Sequence, residues 1–520
     1  MYKPLKLTKK WFVFYIVILL SLPSVLPCFG EVNTIYGDQM VFPTDSPLDV
    51  QYIYNLTKSL SYVIFKAYNE SNGDIAKGRA YGSKGEHMAL DILYENLTKL
   101  GLYTYKEKVV NTEEYPKLTE QLEVLDYGLK VNGKKIDCYI SPVFYKNKEN
   151  NFDYNFTYNY TNLKVISQPL FPNVYKIKNL ISKKQPFVII VKNRNFYSNY
   201  RLVKLFPFIE NFDIQYLIIR KLQAGIPLLQ SWRWNNYLDY CKGVLLYDFN
   251  KDTHDMNYLV GNNHIPFINI NGSDGKYILD NIDDVTVDFK LKQQYNTSVV
   301  SYNVIGQLNG TDPSKTIILN GFYDSWWCQG TADSAIGMSI VLAIAKYFKE
   351  NNITPKYNIK FIGFSGEENG GCAGAFSYES VHHDENIPYV LDLNQLGFDQ
   401  GEPKLTLDIF GNNRNFLNEI YKVAEKTDYE NRVDSSKGLK KVFLKEGGPS
   451  NAQAFAKGRT DCNTAVFIKV TSWKYHHRDG VNHKEGDVLK YFDPIDVAVT
   501  GELILNITKY LTLDNILDFN

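Results

Sequence analysis

The 520-residue chain has no net charge: 57 lysines and arginines balance 57 aspartates and glutamates. Without a basic excess there is no electrostatic footprint for nucleic acid. Internal repeats and low-complexity tracts are also missing, and beyond residue 27 no run is long and apolar enough to read as a membrane span. Cysteine is scarce. Five remain after Cys28, and an odd number in an oxidising compartment leaves at least one thiol unpaired if pairing is intramolecular. What is present is a 44% apolar fraction, enough for sizeable cores, in a chain long enough for two or three domains.

The N-terminus joins a basic stretch, "MYKPLKLTKK", to the apolar "WFVFYIVILLSLPSVL", which Pro23 and Pro27 then break. This reads as a signal peptide over residues 1–30. An uncleaved anchor is the alternative, since about 16 apolar residues is short for a bilayer span. Ten N-x-S/T sequons, at Asn55, Asn69, Asn96, Asn155, Asn159, Asn271, Asn296, Asn309, Asn352 and Asn506, agree with export. The expectation is a secreted or extracytoplasmic glycoprotein with no membrane contact beyond that possible anchor.

Pattern divides the rest of the chain into three parts. In 31–140, "GEHMALDILYENLTKLGL" places Met88, Leu90, Ile92, Leu93, Leu97 and Leu100 near helical spacing, with Gly101 as the stop. Residues 141–297 carry short β-like runs such as "FVIIVK" and "GVLLYDF" between Asn- and Tyr-rich linkers, which predicts a β-rich insert. From 298 to 520 strands and helices alternate, from "TIILNGF" to the final "PIDVAVTGELILNITKYLT". That alternation predicts an α/β fold, a mostly parallel sheet with helices on both faces. Ligands in such sheets bind beyond the carboxyl ends of the strands.

The polar residues gather in the loops expected at those ends: acidic Asp324 and Asp333, then Glu367 and Glu368, then Asn394. A fourth loop, "SWKYHHRDGVNHKEGD", holds three of the eight histidines. Carboxylate and imidazole ligands that leave one position open suit a cation that activates water. A second carboxylate beside a ligand can take the proton. Taken singly, each motif has a plain structural reading. "GEENG" is a dipole-favoured helix start, Asp333 a helix cap, His483 a surface residue, and Trp326 and Trp327 packing groups.

Five motifs in order change that weighting. "GRAYGSKGEHMALDILYENLTKLGL", "SYNVIGQLNG", "GTADSAIG", "IKFIGFSGEENGGCAGAFSY" and "NHKEGDVLKYFDP" together resemble the secreted zinc aminopeptidases of metallopeptidase family twenty-eight. Relatives of that family include glutamate carboxypeptidase II, transferrin receptor and glutaminyl cyclase. The insert resembles a protease-associated domain. The resemblance implies a zinc aminopeptidase-like fold and a peptide substrate.

Carried over by position, Asp333 would be the metal-bridging carboxylate, Glu367 the general base, and Glu368 and His483 ligands of one zinc. Asp324 would orient the first histidine ligand, and Asp487 would support His483 without binding the metal itself. Two positions depart from the pattern. Phe322 stands where that histidine belongs and Asn394 where an aspartate belongs, and in the family both serve the same metal. The resemblance therefore implies one lost metal site beside one intact site. "GGPSNAQAF" also lacks the family's Asp-His pair. His476 and His477 are left as surface or supporting residues, and a disulfide between Cys328 and Cys372 is expected from the implied loop proximity. The reading is a metallopeptidase with a degenerate second site. A non-catalytic ectodomain and a single-zinc glutaminyl cyclase-like enzyme are the alternatives.

Overall fold

The computed structural model describes residues 40–70, 78–140, 145–146, 152–153, 155–167, 179–192, 240–247, 266–325, 328–368, 371–398, 407–426, 439–448, 450–469 and 487–513. The signal-peptide region lies outside them. Phe42–Asn520 form one compact unit.

Two helices lead the chain, α1 (Val50–Glu70) and α2 (Lys84–Lys99). Ser83 caps α2 by accepting the Glu86 amide, and Gly101 turns the chain out with φ of 72°. The buried face of α2 is Ala89, Leu90, Leu93 and Leu97, the spacing expected for one apolar stripe. Strand β1 (Tyr103–Lys108) follows.

Next come β2 (Gln121–Val131), β3 (Lys134–Ile136), β4 (Cys138–Ile140), the short pair β5 (Tyr145–Lys146) and β6 (Phe152–Asp153), and β7 (Phe156–Ser167). Strands β8 (Phe187–Lys192), β9 (Cys241–Tyr247) and β10 (Phe267–Ile270), helix α3 (Gly272–Asp280) and strand β11 (Thr286–Asn296) complete this part. Eight of these strands form one sheet, ordered β3-β2-β11-β7-β8-β9-β10-β4. The boundary expected at 141 passes through it, because β2 pairs antiparallel with β11 from Gln121↔Asn296 to Val131↔Val287. The charged, alternating "QLEVLDYGLKV" gave no change of texture to mark that start.

The chain then returns through β12 (Tyr302–Leu308) and β13 (Asp312–Phe322) to a π-helical turn at Thr331–Ala335 and helix α4 (Ile336–Glu350). After it come β14 (Tyr357–Phe364), α5 (Ala373–Val381), β15 (Tyr389–Leu393), β16 (Leu407–Gly411) and α6 (Arg414–Lys426). The last elements are β17 (Leu439–Phe443), α7 (Ala452–Gly458), β18 (Asn463–Ile468) and α8 (Pro494–Thr512). The second eight-stranded sheet runs β1-β12-β14-β13-β15-β18-β16-β17. Its centre, β14-β13-β15-β18, is parallel, and antiparallel pairs flank it on both sides. The fold is the α/β class expected, and the central strands read as the continuous apolar runs that a sheet covered on both faces requires.

Helix α4 explains an apparent membrane signal. Thr331–Glu350 passes a length-and-composition test for a span, but 89% of its apolar window is buried inside the protein. It is apolar nearly all round because it packs as a core helix. Its first turn lies against the end of β15: a Cβ at Gly337 would stand 2.8 Å from the carbonyl oxygens of both Leu393 and Asn394. Only glycine allows that approach, which draws the Asp333 turn onto the strand ends.

Candidate metal centre at the strand ends

Strands β14, β13, β15 and β18 end side by side, so the loops after Phe364, Phe322 and Leu393 start from one edge, next to the end of β18. Phe322 itself is fully buried, paired in register with Phe364, and belongs to the core. Two residues on, Asp324 is equally buried, and its two carboxylate oxygens accept the backbone amides of Glu367 and Glu368, at 3.0 Å each. With phenylalanine at 322 there is no histidine there for Asp324 to orient. The carboxylate fixes the paired-Glu turn instead. Burial raises its pKa to about 6, opposed by those two amides and by Arg79.

Asp333 sits in the turn before α4. Gln395 Nε2 donates to its Oδ2 at 3.0 Å. The amides of Ala332 and Asp333 donate to the carboxylate of buried Asp487, at 2.8 and 3.1 Å. Asp487, more than 150 residues later in the chain, therefore caps this turn. Asn394 reaches Glu367 Oε1 through its Nδ2 at 3.4 Å, and its buried Oδ1 has no hydrogen-bond partner among the described residues.

Several acids thus crowd into one low-dielectric space. Burial first, then the charges of Glu368, Asp333, Asp324 and Asp392, push the Glu367 carboxyl well above the usual range. Burial lifts Asp487 and Asp392 to about 7 each. His483, like His476 and His477, lies outside the described residues, as do Trp326 and Trp327. Among the described residues no group of three His, Cys, Asp or Glu side chains is placed to hold a metal ion. The structure brings Asp333, Glu367, Glu368, Asp324, Asp487 and Asn394 to the same edge. The donor chemistry fits zinc: two clustered carboxylates, a buried unmatched amide oxygen, and a histidine-bearing segment immediately before Asp487.

Two supporting residues went unremarked in the sequence. The buried Arg79 guanidinium donates to the carbonyls of Tyr323 (2.8 Å), Leu60 (3.1 Å), Gly330 (3.0 Å) and Gln329. It therefore ties both ends of the loop that carries Asp324 and leads to Asp333. Buried Glu86 accepts from Ser365 Oγ, Ser301 Oγ and the Gly82 amide. Their only sequence signal is their place in the glycine-punctuated "GRAYGSKGE".

The expected disulfide is not formed. Cys138, Cys241, Cys328, Cys372 and Cys462 are all free and buried. Cys372 instead takes a hydrogen bond from Gln453 Nε2 at 3.2 Å. Of the sequons, Asn506 is buried on α8 and closed to a glycan in the folded chain.

The crowded acids fix a pH dependence. Asp324, Asp392, Asp487 and Glu86 all have folded pKa values above their unfolded ones, at about 6, 7, 7 and 8. Such groups stabilise fully below the unfolded pKa, near 4, and that contribution is lost as pH rises through the folded values. Chelator-treated protein should therefore be more stable at pH 5 than at pH 8, by at least ~2 kcal/mol even when the shifts are heavily discounted, and melt correspondingly higher. Thermal melts across that window check it; a rise in stability towards pH 8 would contradict the burial described.

Residues 303–508 match the profile of Peptidase family M28. This segment is an M28 domain. Against curated proteins, the chain is similar to Carboxypeptidase Q of Xenopus laevis, 22% identical over 240 residues, which is 44% of this chain and 45% of that one. It is also similar to a vacuolar membrane protease of Meyerozyma guilliermondii, 27% identical over 130 residues, 24% of this chain and 13% of the other. The chain spans less than half the length of the curated relatives it matches. Among solved structures it is similar to BSAP, a zinc aminopeptidase from Bacillus subtilis, with TM-score 0.58 and 17% identity over 91% of this chain and 97% of that one. At that identity the likeness establishes the fold, and the M28 segment contains the strand-end loops from Asp324 to Asp487.

Proposed function

We propose that the chain is an exported, zinc-dependent peptidase of aminopeptidase type, with one zinc held by Asp333, Glu368 and His483 and with Glu367 as general base. The observation that carries this reading is the double hydrogen bond from the Glu367 and Glu368 amides to Asp324. It presents two adjacent carboxylates beside Asp333 from a turn anchored at both of their amides.

When bound, zinc would supply Lewis acidity towards water and a carbonyl oxygen. The remaining work falls to the chain. Glu367 takes the proton of the attacking water, and its raised proton affinity suits a base working near neutrality. The Asn394 amide holds Glu367 Oε1, leaving Oε2 to meet the water. Glu367 then returns the proton to the departing amine. Asp487 and Gln395 hold the Asp333 turn and carboxylate in register. Phe322, buried in the core, cannot ligate, and Asn394 brings no charge, so the second site of the family is read as lost. The same two residues favour a second reading, a peptidase-like ectodomain without catalysis.

Elemental analysis of the purified protein is expected to give about one zinc per chain. Two zincs per chain would overturn the one-site reading. Glu368→Gln removes a charged ligand and should weaken zinc at least ~10-fold, with loss of activity in proportion. A screen on aminoacyl and peptide substrates decides the function, and a zinc-loaded wild type inert across a broad panel would favour the non-catalytic reading.

A further inference from the structure

Glu86 forms a closed ring with two hydroxyls. Ser365 Oγ lies 2.6 Å from Glu86 Oε1, Ser301 Oγ lies 2.7 Å from Glu86 Oε2, and the two hydroxyl oxygens lie 2.6 Å from each other. Each of these three contacts is a hydrogen bond only if a proton lies in it. Two serine hydroxyls supply two protons. If Glu86 were ionised, one short oxygen–oxygen contact would be left bare, in a place closed to water: Glu86, Ser301 and Ser365 are all buried without exposure. The neighbouring phenol cannot make up the deficit, because the Tyr323 hydroxyl donates to the Tyr302 carbonyl. The Gly82 amide, 2.6 Å from Oε2, fills a further acceptor position on the carboxyl but puts no proton into the ring.

We propose that Glu86 is a neutral carboxylic acid whose proton closes this ring, and that the ring positions the Glu367–Glu368 turn. With the proton present the three groups donate head to tail. Glu86 Oε1–H donates to Ser365, Ser365 to Ser301, and Ser301 to Glu86 Oε2, so each of the three ring contacts holds one proton, and the Tyr323 hydroxyl beside both serines receives none from them. Ser365 is the first residue after β14 and lies two residues before Glu367. The turn is thereby held on both sides, by Glu86 through Ser365 and by Asp324 through the Glu367 and Glu368 amides. Of the titratable groups that face Glu86, Tyr81 and Tyr323 are neutral phenols, and Asp324 is the one whose negative charge disfavours a second. Burial acts in the same direction and lifts the Glu86 pKa to about 8.

The positioning role rests on the proposed function, whereas the protonation state does not, and the test separates them. Glutamine copies a protonated acid here: its amide donates to Ser365 and its oxygen accepts from Ser301 and Gly82. Glu86→Gln is expected to melt within about 2 °C of wild type at pH 7, whereas Glu86→Ala loses several degrees. The infrared difference spectrum, wild type minus Glu86→Gln at pH 7, should show a protonated-carboxyl band. On a confirmed substrate, kcat should fall ~10-fold or more in Glu86→Ala, with KM little changed, and be restored in Glu86→Gln. A missing carboxyl band, or a Gln variant as damaged as the Ala variant, would overturn the proposal. Should Glu86→Ala fail to fold, the Gln variant and its spectrum still decide. A wild type that hydrolyses nothing, but shows the band and tolerates Gln, would sink the proposed peptidase function and leave the neutral ring standing.

Discussion

Glu367→Gln is expected to remove nearly all hydrolysis, by ~10²–10⁴-fold in kcat, while leaving fold and zinc content unchanged. The substitution keeps the side chain's shape and touches none of the bonds that build the turn. The 367 and 368 amides still donate to Asp324, and Ser365 still meets Glu86. What is lost is the capacity to take a proton, since a neutral amide is no base at any accessible pH. It also relieves a crowded group. Because burial and four neighbouring acids raise the Glu367 pKa, the metal-free variant should be at least as stable as wild type near neutrality. That pairing of unchanged or higher stability with collapsed turnover separates a base from a structural carboxylate. Full activity in Glu367→Gln on a confirmed substrate would refute the mechanism.

Much of this site was legible in the sequence because its chemistry sits in short motifs fixed to strand ends. A strand followed by Asp324, an acidic pair after "GFSG", and Asp333 ahead of an apolar helix are local patterns, and each residue falls at the expected edge of the sheet. Helices α2 and α8 coincide with the runs singled out for them, since their apolar patterning and breakers are local too. Other features depend on partners far along the chain and leave no local trace. The start of the β2–β11 sheet at Gln121 is set by pairing with a strand more than 150 residues later, in a segment whose composition does not change. Strands β16 and β17 and helix α7 are short and were not anticipated. Asp324 shows the limit most clearly. Its position was apparent, but its hydrogen bonds go to amides of another loop, and only the fold reveals that it serves the paired-Glu turn. The cysteine pairing failed for the same reason. Proximity of two loops does not specify which way a thiol points, and Cys372 faces Gln453.

Arg79→Met is expected to be the most damaging single change to stability among the supporting residues. The guanidinium is fully buried and donates to four main-chain carbonyls: Leu60 at the middle of α1, Tyr323 just before Asp324, and Gln329 with Gly330 just before the Asp333 turn. Methionine fills much of the same volume but donates nothing, so four carbonyls lose a charged partner in a space closed to water. At roughly 1–3 kcal/mol for each buried group left unpaired, and allowing for relaxation, the loss is ~3–5 kcal/mol. It also removes the positive charge that favours ionised Asp324 and Asp487, so burial would lift those carboxyls further. Both effects act on the loop that leads to the proposed ligand Asp333, and zinc affinity should fall along with the melting temperature. Arg79→Lys provides the control. It retains the charge but presents a single ammonium where a planar fork met carbonyls from three directions, so it should fall between wild type and Arg79→Met. Differential scanning calorimetry with parallel zinc analysis measures both quantities. If Arg79→Met melts within about 1 °C of wild type and keeps its full zinc content, Arg79 does not hold the loop, and its four short contacts have another explanation.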